Sequence, residues 1–342
     1  MPSIRSRLKK ITGRLLLMLA PVFLLLFVAE VYLRLAGPDV GHDPAADDGF
    51  LVAVPSTEFG WIFPADTSGV FPSSGRHTQL TTNAWGLRSG PVSDADTTRL
   101  LILGDSYAFG WGVAADSSFS EILGRELGVE VVNGAIPGFS IYQQVRMFDF
   151  VTARTEVDAV LATISLANDA IDEERIMRFA PDHLAEFHYG LRDPDSFTAR
   201  VIRASRILTL VDERTTDVQF GLKNARGKGG DLALDSLHEI AARCRERGLP
   251  LVWLVVPRAG EVRGGGVRTR LLNQQTARLR DHFLRATGEY GSPGFDLLPV
   301  LTEAQRGGEC YLPHDAHWNE RGHRAVAATV LPVLKEAWNT PR

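Results

Sequence analysis

The chain has 342 residues, of which 44% are hydrophobic, 23% charged and 8% aromatic, a composition that excludes collagen-like, low-complexity and wholly disordered proteins. Lys and Arg number 37 and Asp and Glu 41, and the net charge of −4 argues against nucleic acid as a partner. The two cysteines, Cys244 and Cys310, are too few for a disulfide framework and lack the spacing of a metal site, and whether they pair is left open. The length is compatible with one large α/β domain or with two domains.

Residues 1–36 are predicted to be a basic tail and a membrane anchor. Basic residues precede an apolar run from Leu15 to Ala29, and a weaker apolar pattern continues to Leu35. A helix from Leu15 to Leu35 would be roughly 31 Å long, close to the thickness of the hydrocarbon core of a bilayer. Because acidic residues follow the run, the positive-inside rule places the N-terminus in the cytoplasm and the rest of the chain outside, in the periplasm or the extracellular space.

Two other interpretations of this segment stay open. A cleaved signal peptide also fits, because the purely apolar core is short and is followed by Glu30 and Arg34, although no Ala-x-Ala cleavage site is evident. A buried core helix is the third interpretation. In an anchor, Glu30 and Arg34 would lie one turn apart on the same helical face near the outer interface, where they can form an ion pair.

Residues 37–98 are predicted to contain a linker and a small β-rich extension. The part up to about Gly49 is rich in Gly, Pro and Asp and has no apolar periodicity, which is typical of a linker. Beyond it, short apolar pieces are interrupted by Pro, Ser and Gly, and the residues from His77 to Thr82 alternate as in a β-strand.

Residues 99–342 have the pattern of a catalytic α/β domain. Apolar runs predict strands over Arg99–Leu103, Val129–Asn133, Val157–Ile164 and Leu251–Val256, and helices are predicted over Phe119–Leu127 and Leu234–Arg247. Continuous apolar strands that alternate with helices predict a parallel sheet covered on both faces. Residues 172–231 interrupt this alternation, and we interpret them as an insertion over the carboxyl edge of the sheet, where ligands bind in such folds.

The first predicted strand leads directly into Gly104-Asp105-Ser106. A tight turn at the carboxyl end of a strand can expose the Ser106 hydroxyl, which makes this residue a candidate nucleophile. The alternative is that Asp105 or Ser106 only caps the following helix.

A second candidate segment, from Leu312 to His323, is rich in His and Asp. A serine nucleophile needs an imidazole base, and the base needs a carboxylate that fixes its tautomer, and His317 and Asp315 can supply both from one short loop. Two alternatives stay open, a cap for the last helix and a zinc site that would use His314, His317 and His323 with Asp315.

Four sequence blocks resemble those of the SGNH hydrolases, the GDSL-type esterases, in order and in spacing. They are Gly104-Asp105-Ser106, Asn133-Gly134-Ala135-Ile136-Pro137-Gly138, Ala167-Asn168-Asp169 and Asp315-Ala316-His317-Trp318-Asn319. The resemblance covers about Leu100 to Leu334. It implies the fold of that family, a three-layer α/β/α flavodoxin-like parallel sheet, here preceded by a single N-terminal transmembrane helix.

The resemblance implies that Ser106 is the nucleophile, His317 the general base and Asp315 the acid that orients it. It also implies an oxyanion hole formed by the backbone N–H groups of Ser106 and Gly138 and the side-chain amide of Asn168, with no metal or cofactor. Without the resemblance, Gly138 would be interpreted as part of a Pro-Gly turn and Asn168 as an Asx turn.

The chain departs from the family pattern at two positions. Many members have the Asp three residues before the His, where this chain has His314, and a Gly two residues before the Asn, where it has Leu166. The Asp-x-His-Trp form resembles the branch that includes bacterial polysaccharide O-acetylation proteins. Residues 82–88, with the sequence Thr-Asn-Ala-Trp-Gly-Leu-Arg, resemble a segment of membrane-anchored members of this kind.

Together these features predict a serine esterase that hydrolyses O-acyl esters, mainly O-acetyl esters, outside the cytoplasmic membrane. The expected substrate is an acylated small molecule or polysaccharide, and the expected contact with the membrane is through the N-terminal helix. Two alternatives are an O-acyltransferase that modifies a cell-surface polysaccharide, and a non-catalytic glycan-binding protein on a hydrolase fold.

Overall fold

The computed structural model of the chain describes residues 4–36, 53–73, 76–93, 96–178, 201, 205, 207–208, 229–264, 267–292, 294–313 and 315–339. The chain divides into two compact units. Residues 1–43 and 190–216 form the first unit, and residues 44–189 and 217–342 form the second.

The described part of the first unit is mainly helix α1, Ile4–Ala36. Glu30 on this helix accepts Arg34 Nε at 2.8 Å, which confirms the predicted ion pair one turn apart. Its other carboxylate oxygen accepts hydrogen bonds from Ser205 Oγ at 2.9 Å and from the backbone N–H of Ile207 at 3.1 Å. Glu30 therefore holds Ser205 and Ile207 against α1 within this unit.

The structure does not support the predicted transmembrane helix. The apolar run does lie within one helix, but no helix in the described part of the chain combines the length and the apolar character needed to cross a membrane.

Residues 53–98, called the extension below, begin the second unit with two antiparallel hairpins. Strand β1 (Val54–Ser56) pairs with β2 (Gly60–Ile62), and β3 (Ser68–Ser73) pairs with β4 (Arg76–Thr81), which confirms the predicted strand near His77. The extension buries apolar side chains in the same core as the domain that follows it. These side chains are Phe59, Trp61, Phe63, Leu80 and Leu87.

Five strands then form one parallel sheet in the order β6-β5-β7-β8-β9. They are β5 (Arg99–Leu103), β6 (Glu130–Asn133), β7 (Ala159–Ser165), β8 (Leu251–Val256) and β9 (Gly294–Asp296). The first four confirm the predicted strands, whereas β9 was not predicted. The first strand of the sheet lies between the second and the third, as in flavodoxin-like doubly wound folds.

Helices cover both faces of the sheet. They are α2 (Ser106–Phe109), α3 (Phe119–Leu127), α4 (Ile141–Thr152), α5 (Asp169–Arg178), α6 (Gly229–Glu246), α7 (Ala259–Arg263), α8 (Val267–Glu289), α9 (Leu298–Arg306) and α10 (Glu320–Asn339). Helices α3 and α9 pack on α10, and α4 and α5 pack on α6. Every residue of β5, β7 and β8 is buried, as expected for strands covered on both sides.

Local sequence sets where these helices begin. The Ser118 side chain caps α3, which has the bounds that the sequence predicts, and α6 overlaps the other predicted helix. The Ser140 and Gln143 side chains form a capping box at the start of α4.

Most of the predicted insertion, residues 172–231, and the predicted linker lie outside the described residues. The first residues of the insertion belong to α5 and its last residues to α6. Cys244 on α6 and Cys310 after α9 are both buried free thiols, so they do not form a disulfide with each other.

Candidate active site

Three neighbouring strands bring three of the sequence blocks to one edge of the sheet. Ser106 follows β5, Gly138 follows β6 and Asn168 follows β7, each at the carboxyl end of its strand. In doubly wound sheets ligands bind at this edge, at the point where the strand order reverses.

Ser106 is the first residue of α2 and is 8% exposed. Asp105 is the N-cap residue of this helix, and its Oδ1 accepts the backbone N–H of Tyr107 at 3.0 Å. The backbone at Gly104 packs closely on both α2 and β7, because a Cβ atom there would lie 2.6 Å from Ala108 Cβ and 2.2 Å from Thr163 Oγ1. Asp105 thus caps α2, and Ser106 at the first position of the helix is the candidate nucleophile.

Ser106, His317 and Asp315 form a continuous chain of hydrogen bonds. His317 Nε2 lies 2.7 Å from Ser106 Oγ, and His317 Nδ1 lies 2.6 Å from Asp315 Oδ1. A carboxylate only accepts, so Nδ1 carries the proton and Nε2 presents its lone pair to the serine hydroxyl. This arrangement can activate Ser106 as a nucleophile.

The environment keeps Asp315 ionised. Burial alone would raise the pKa of this carboxyl, but the charge and the hydrogen bonds of His317 outweigh burial and hold the pKa below its usual value. The carboxylate can therefore stabilise a positively charged His317 imidazolium.

Two side chains from other elements hold the loop that carries Asp315 and His317. Arg263, at the end of α7, donates from Nη1 to the Asp315 carbonyl oxygen at 2.8 Å and from Nη2 to the Leu312 carbonyl oxygen at 2.9 Å. The Tyr107 hydroxyl donates to the Ala316 carbonyl oxygen at 3.0 Å, which ties this loop to the residue after Ser106.

Aromatic rings surround the imidazole. Trp111 stacks on His317 with ring centroids 5.2 Å apart, and its buried Nε1 has no hydrogen-bond partner among the described residues. Phe109 and Phe139 are core residues, whereas Tyr142 is partly buried. Trp111 and Tyr107 therefore contact the imidazole, the Tyr107 ring with its centroid 5.0 Å from that of His317.

The structure places the two other candidate oxyanion residues beside the strand ends. Gly138 has a φ of 79°, a left-handed conformation that favours glycine. Asn168 Oδ1 accepts from Ser165 Oγ at 2.7 Å, and Asn168 Nδ2 donates to Asp172 Oδ2 at 2.7 Å. An amide nitrogen has two hydrogens, so this contact accounts for one of them.

His323 does not join this cluster. Its Nδ1 accepts the backbone N–H of Phe119 at 3.2 Å, and burial lowers its pKa to about 3, so the imidazole is a neutral core residue. His314 lies outside the described residues. Within the described ranges, no group of three or more His, Cys, Asp or Glu side chains could hold a metal ion.

Two buried carboxyls, Asp105 and Asp169, lie beside Ser106 and Asn168 in the sequence. Sequence reasoning weighed Asp105 as a helix cap and gave Asp169 no role. Asp105 Oδ1 accepts the backbone N–H of Tyr107 and Asp169 Oδ2 accepts that of Ser165. The Asn168 side chain also interacts with the Asp105 carboxyl, whereas Asp169 Oδ1 is buried without a hydrogen-bond partner among the described residues. Burial raises the pKa of both groups, and the charge of Asp105 raises that of Asp169 further. Burial and the neighbouring charge of Asp105 therefore favour the protonated form of the Asp169 carboxyl.

Glu173 and Arg263 are two further residues near the site that sequence reasoning missed. Glu173 is fully buried on α5 but stands in the acidic run Asp172-Glu173-Glu174, and nothing in that run distinguishes it from its neighbours. Arg263 donates hydrogen bonds to backbone carbonyls. Because every residue has a backbone carbonyl, no sequence pattern marks these contacts.

A sequence model of the GDSL-like lipase/acylhydrolase family matches residues 102–325. The matched part includes Ser106, Gly138, Asn168 and the loop from Asp315 to His317, and leaves out the extension. No curated protein matches the chain in sequence.

Solved structures of low sequence identity also align with the chain. A member of the lipolytic protein G-D-S-L family from Veillonella parvula is 16% identical, with 70% of this chain and 98% of that chain covered and a TM-score of 0.39. The psychrotrophic esterase EstA from Pseudoalteromonas is 10% identical, with coverage of 71% and 100% and a TM-score of 0.40. The acetyl xylan esterase AlAXEase is 13% identical, with coverage of 69% and 99% and a TM-score of 0.43.

Proposed function

Because the chain belongs to the GDSL-like lipase/acylhydrolase family of SGNH hydrolases and is an ester-bond hydrolase, we propose that Ser106, His317 and Asp315 are its catalytic triad. The observation that carries this proposal is the unbroken hydrogen-bond chain, 2.7 Å from serine to imidazole and 2.6 Å from imidazole to carboxylate. These distances fit the transfer of a proton from Ser106 Oγ to His317 Nε2.

The mechanism has two halves. Ser106 Oγ attacks the ester carbonyl while His317 Nε2 takes its proton, and the imidazolium then protonates the leaving alcohol as the acyl-enzyme forms. In the second half His317 takes a proton from water, the hydroxide attacks the acyl carbon, and the proton returns to Ser106 as the carboxylic acid leaves.

The proposed oxyanion hole consists of the backbone N–H groups of Ser106 and Gly138 and the side-chain amide of Asn168. Their positions after three adjacent strands support this proposal, because the carboxyl ends of neighbouring parallel strands meet at one edge of the sheet. Asp172 Oδ2 accepts one N–H of the Asn168 amide, and the same side chain also interacts with the Asp105 carboxyl, so in the proposed mechanism the amide turns one N–H to the oxyanion when the substrate binds. Removal of one such donor typically costs about 3 kcal/mol of transition-state stabilisation.

The proposed substrate is an O-acyl ester, with acetyl as the acyl group. The support is the resemblance of the Asp-x-His-Trp segment to the branch that includes polysaccharide O-acetylation proteins. The structure adds the Trp111 ring stacked on His317, which places an aromatic surface beside the proposed base.

The test compares purified wild type with Ser106→Ala on p-nitrophenyl acetate and longer esters. We expect Ser106→Ala to lose at least 1000-fold in kcat and to lose labelling by a fluorophosphonate probe. Ser68→Ala, which removes an exposed hydroxyl of β3, is the matched control and should keep full activity. Full activity of purified Ser106→Ala would overturn the triad.

The acyl acceptor is tested separately with an acetyl donor and a polysaccharide. Release of free acetate supports the proposed hydrolase, whereas transfer of acetyl to the glycan would assign the acyltransferase alternative to the same triad. Glycan binding without labelling of Ser106 would favour the non-catalytic alternative.

The location outside the cytoplasm is a proposal that rests on the charges around α1, with basic residues before the apolar run and acidic residues after it. A fusion of residues 1–52 to a phosphatase that is active only after export tests it. An inactive fusion that accumulates in the cytoplasm would overturn it.

A further inference from the structure

The extension lies outside the part of the chain that matches the family, but it contacts the segments that follow β5 and β6. These two segments carry Ser106 and Gly138. Two buried side chains of the extension, Trp61 and Arg88, make the contacts, and both bind backbone carbonyl oxygens.

Trp61 on β2 fixes the peptide that precedes Gly138. Its side chain is in the core, and its indole Nε1 donates to the Pro137 carbonyl oxygen at 3.0 Å. The Pro137–Gly138 peptide is trans, so the Gly138 N–H points away from the carbonyl that Trp61 holds. The Trp61 ring also packs edge-on against Phe139, with centroids 5.6 Å apart.

Arg88 closes the C-terminal end of α2. Its Nη1 donates to the carbonyl oxygens of Phe109 at 3.0 Å and Gly110 at 2.6 Å, and its Nη2 donates to that of Val113 at 2.7 Å. A helix of a single turn cannot satisfy its own last carbonyls and is not stable alone, so these bonds hold α2 in place.

The guanidinium is buried at this position but remains charged. Arg88 is 6% exposed and lies over the Phe109 ring at 5.1 Å. Burial lowers its pKa to about 10, which leaves the group protonated at neutral pH. A charged donor strengthens the three hydrogen bonds to the carbonyls.

The residues before Arg88 form a turn that directs it into the domain. Asn83 Oδ1 accepts the backbone N–H groups of Trp85 at 2.9 Å and Leu87 at 3.1 Å. At Gly86 a Cβ atom would lie 2.2 Å from the Phe63 carbonyl oxygen. The turn gives a physical role to the segment 82–88 that the sequence analysis singled out.

We propose that the extension is part of the catalytic apparatus, because Trp61 positions the Gly138 N–H for the oxyanion and Arg88 positions α2 and its Ser106. Both are positioning residues, since neither touches the reacting atoms. This inference rests on the proposed roles of Ser106 and Gly138.

The first test removes one hydrogen bond. Trp61→Phe keeps an aromatic ring but loses the indole N–H, and we expect kcat to fall about tenfold or more with KM within about twofold, because a slightly misplaced donor weakens transition-state binding. Trp253→Phe is the matched control, because Trp253 is a buried tryptophan whose Nε1 has no hydrogen-bond partner among the described residues. The rate of Ser106 labelling by a fluorophosphonate should fall in parallel with kcat.

The second test replaces the guanidinium. Arg88→Ala should lose kcat about tenfold or more, and guanidinium chloride at millimolar concentration should restore part of it, because Arg88 lines a surface groove of about 760 Å³ through which the ion can enter. Arg99→Ala is the control. Arg99 is also buried and binds a backbone carbonyl, that of Ser93, but it lies at the start of β5, the end away from Ser106.

The proposal is supported if both variants lose more kcat than their controls at a similar loss in melting temperature, and if guanidinium rescues Arg88→Ala but not Arg99→Ala. It is overturned if either variant behaves like its control or if guanidinium has no specific effect. If Arg88→Ala does not fold, Arg88→Lys with the same kcat comparison replaces it. Failure of these tests while Ser106→Ala is inactive would overturn the role of the extension alone.

Discussion

Asp315 lies two residues before His317, although many family members have the acid three residues before the base. The structure shows how the shorter spacing works, because Asp315 Oδ1 accepts both the backbone N–H of His317 at 2.9 Å and the ring Nδ1 at 2.6 Å. One oxygen thus holds the main chain and the side chain of the same residue. The geometry supports Asp315 as the orienting acid at this spacing.

Arg263 is one of the two residues that hold this loop in place. Besides the two loop carbonyls, it pairs with Glu309 at 3.1 Å and lies over the Tyr311 ring at 4.9 Å. Arg263→Ala should therefore let the loop relax and lower kcat about tenfold, since small misplacements of catalytic groups carry penalties of this order. Steady-state kinetics with short-chain esters measures the effect.

Arg306→Ala is the control for this prediction. Arg306 pairs with Glu303 on the surface of α9, with a side chain that is 72% exposed, and its removal should leave kcat within about twofold. Equal kcat values for the two variants would contradict a role of Arg263 in holding the loop.

At the scale of elements, Glu173 connects the helices that follow the proposed oxyanion residues. It stands on α5, accepts the backbone N–H of Tyr142 on α4 at 2.9 Å, and accepts the hydroxyl of Ser236 on α6. Burial raises its pKa to about 7, and the nearby Asp172 adds to the rise, although the hydrogen bonds oppose it. The carboxyl thus titrates near neutral pH.

This pKa predicts a pH-dependent stability. The folded protein holds a proton on Glu173 up to about pH 7, whereas the unfolded chain releases it near the ordinary value of 4.5, so Glu173 makes folding less favourable as the pH rises from 5 to 8. Glu173→Gln cannot titrate. As the pH rises from 5 to 8, the free energy of unfolding of wild type should therefore fall by on the order of 2 kcal/mol relative to that of Glu173→Gln.

Denaturant unfolding at pH 5 and pH 8 measures this difference. The control is Ser68→Ala, which changes no titratable group and should give the same difference at both pH values. A difference for Glu173→Gln that does not change with pH would refute the raised pKa.

The strands and helices also show how much of the fold the sequence can predict. The central strands were predicted because a run such as Leu251–Val256 is apolar throughout, and burial on both faces requires this pattern. The short β9 has only half-buried residues and gives no such signal. Glu173 could not be told from Glu174, because burial depends on where α5 packs and not on residue type.

At the scale of the whole molecule, the two thiols report on the integrity of the fold. Cys244 and Cys310 are buried and free, and burial raises the pKa of Cys244 to about 12. Neither thiol should react with a maleimide or an aromatic disulfide in the folded protein at pH 8, since reaction requires an accessible thiolate.

Both thiols should react once denaturant unfolds the chain, and a reductant should leave the melting temperature unchanged. Mass spectrometry of the alkylated protein counts the modified sites. Rapid modification of either cysteine under native conditions would contradict the burial.

Long-range contacts limit what the sequence reveals about the whole molecule. The order of the four blocks predicted which residues would meet, and Ser106 and His317 do lie within hydrogen-bonding distance. The contact of Trp61 with Pro137 joins residues 76 positions apart through an indole and a carbonyl, and no local pattern marks it. The membrane span was predicted from an apolar run of suitable length with basic residues before it and acidic residues after it, and the described residues do not support it.

The separation of Ser106 from His317 along the chain also has a consequence for synthesis. A ribosome delivers the chain from its N-terminus, and domains fold as they emerge. The serine, the first strands of the sheet and the two loops that carry the proposed donors are made early, whereas His317 is made 211 residues after Ser106, just ahead of α10. A nascent chain therefore holds Ser106 without its proposed base, and we expect esterase activity to appear only when the segment that carries His317 has docked.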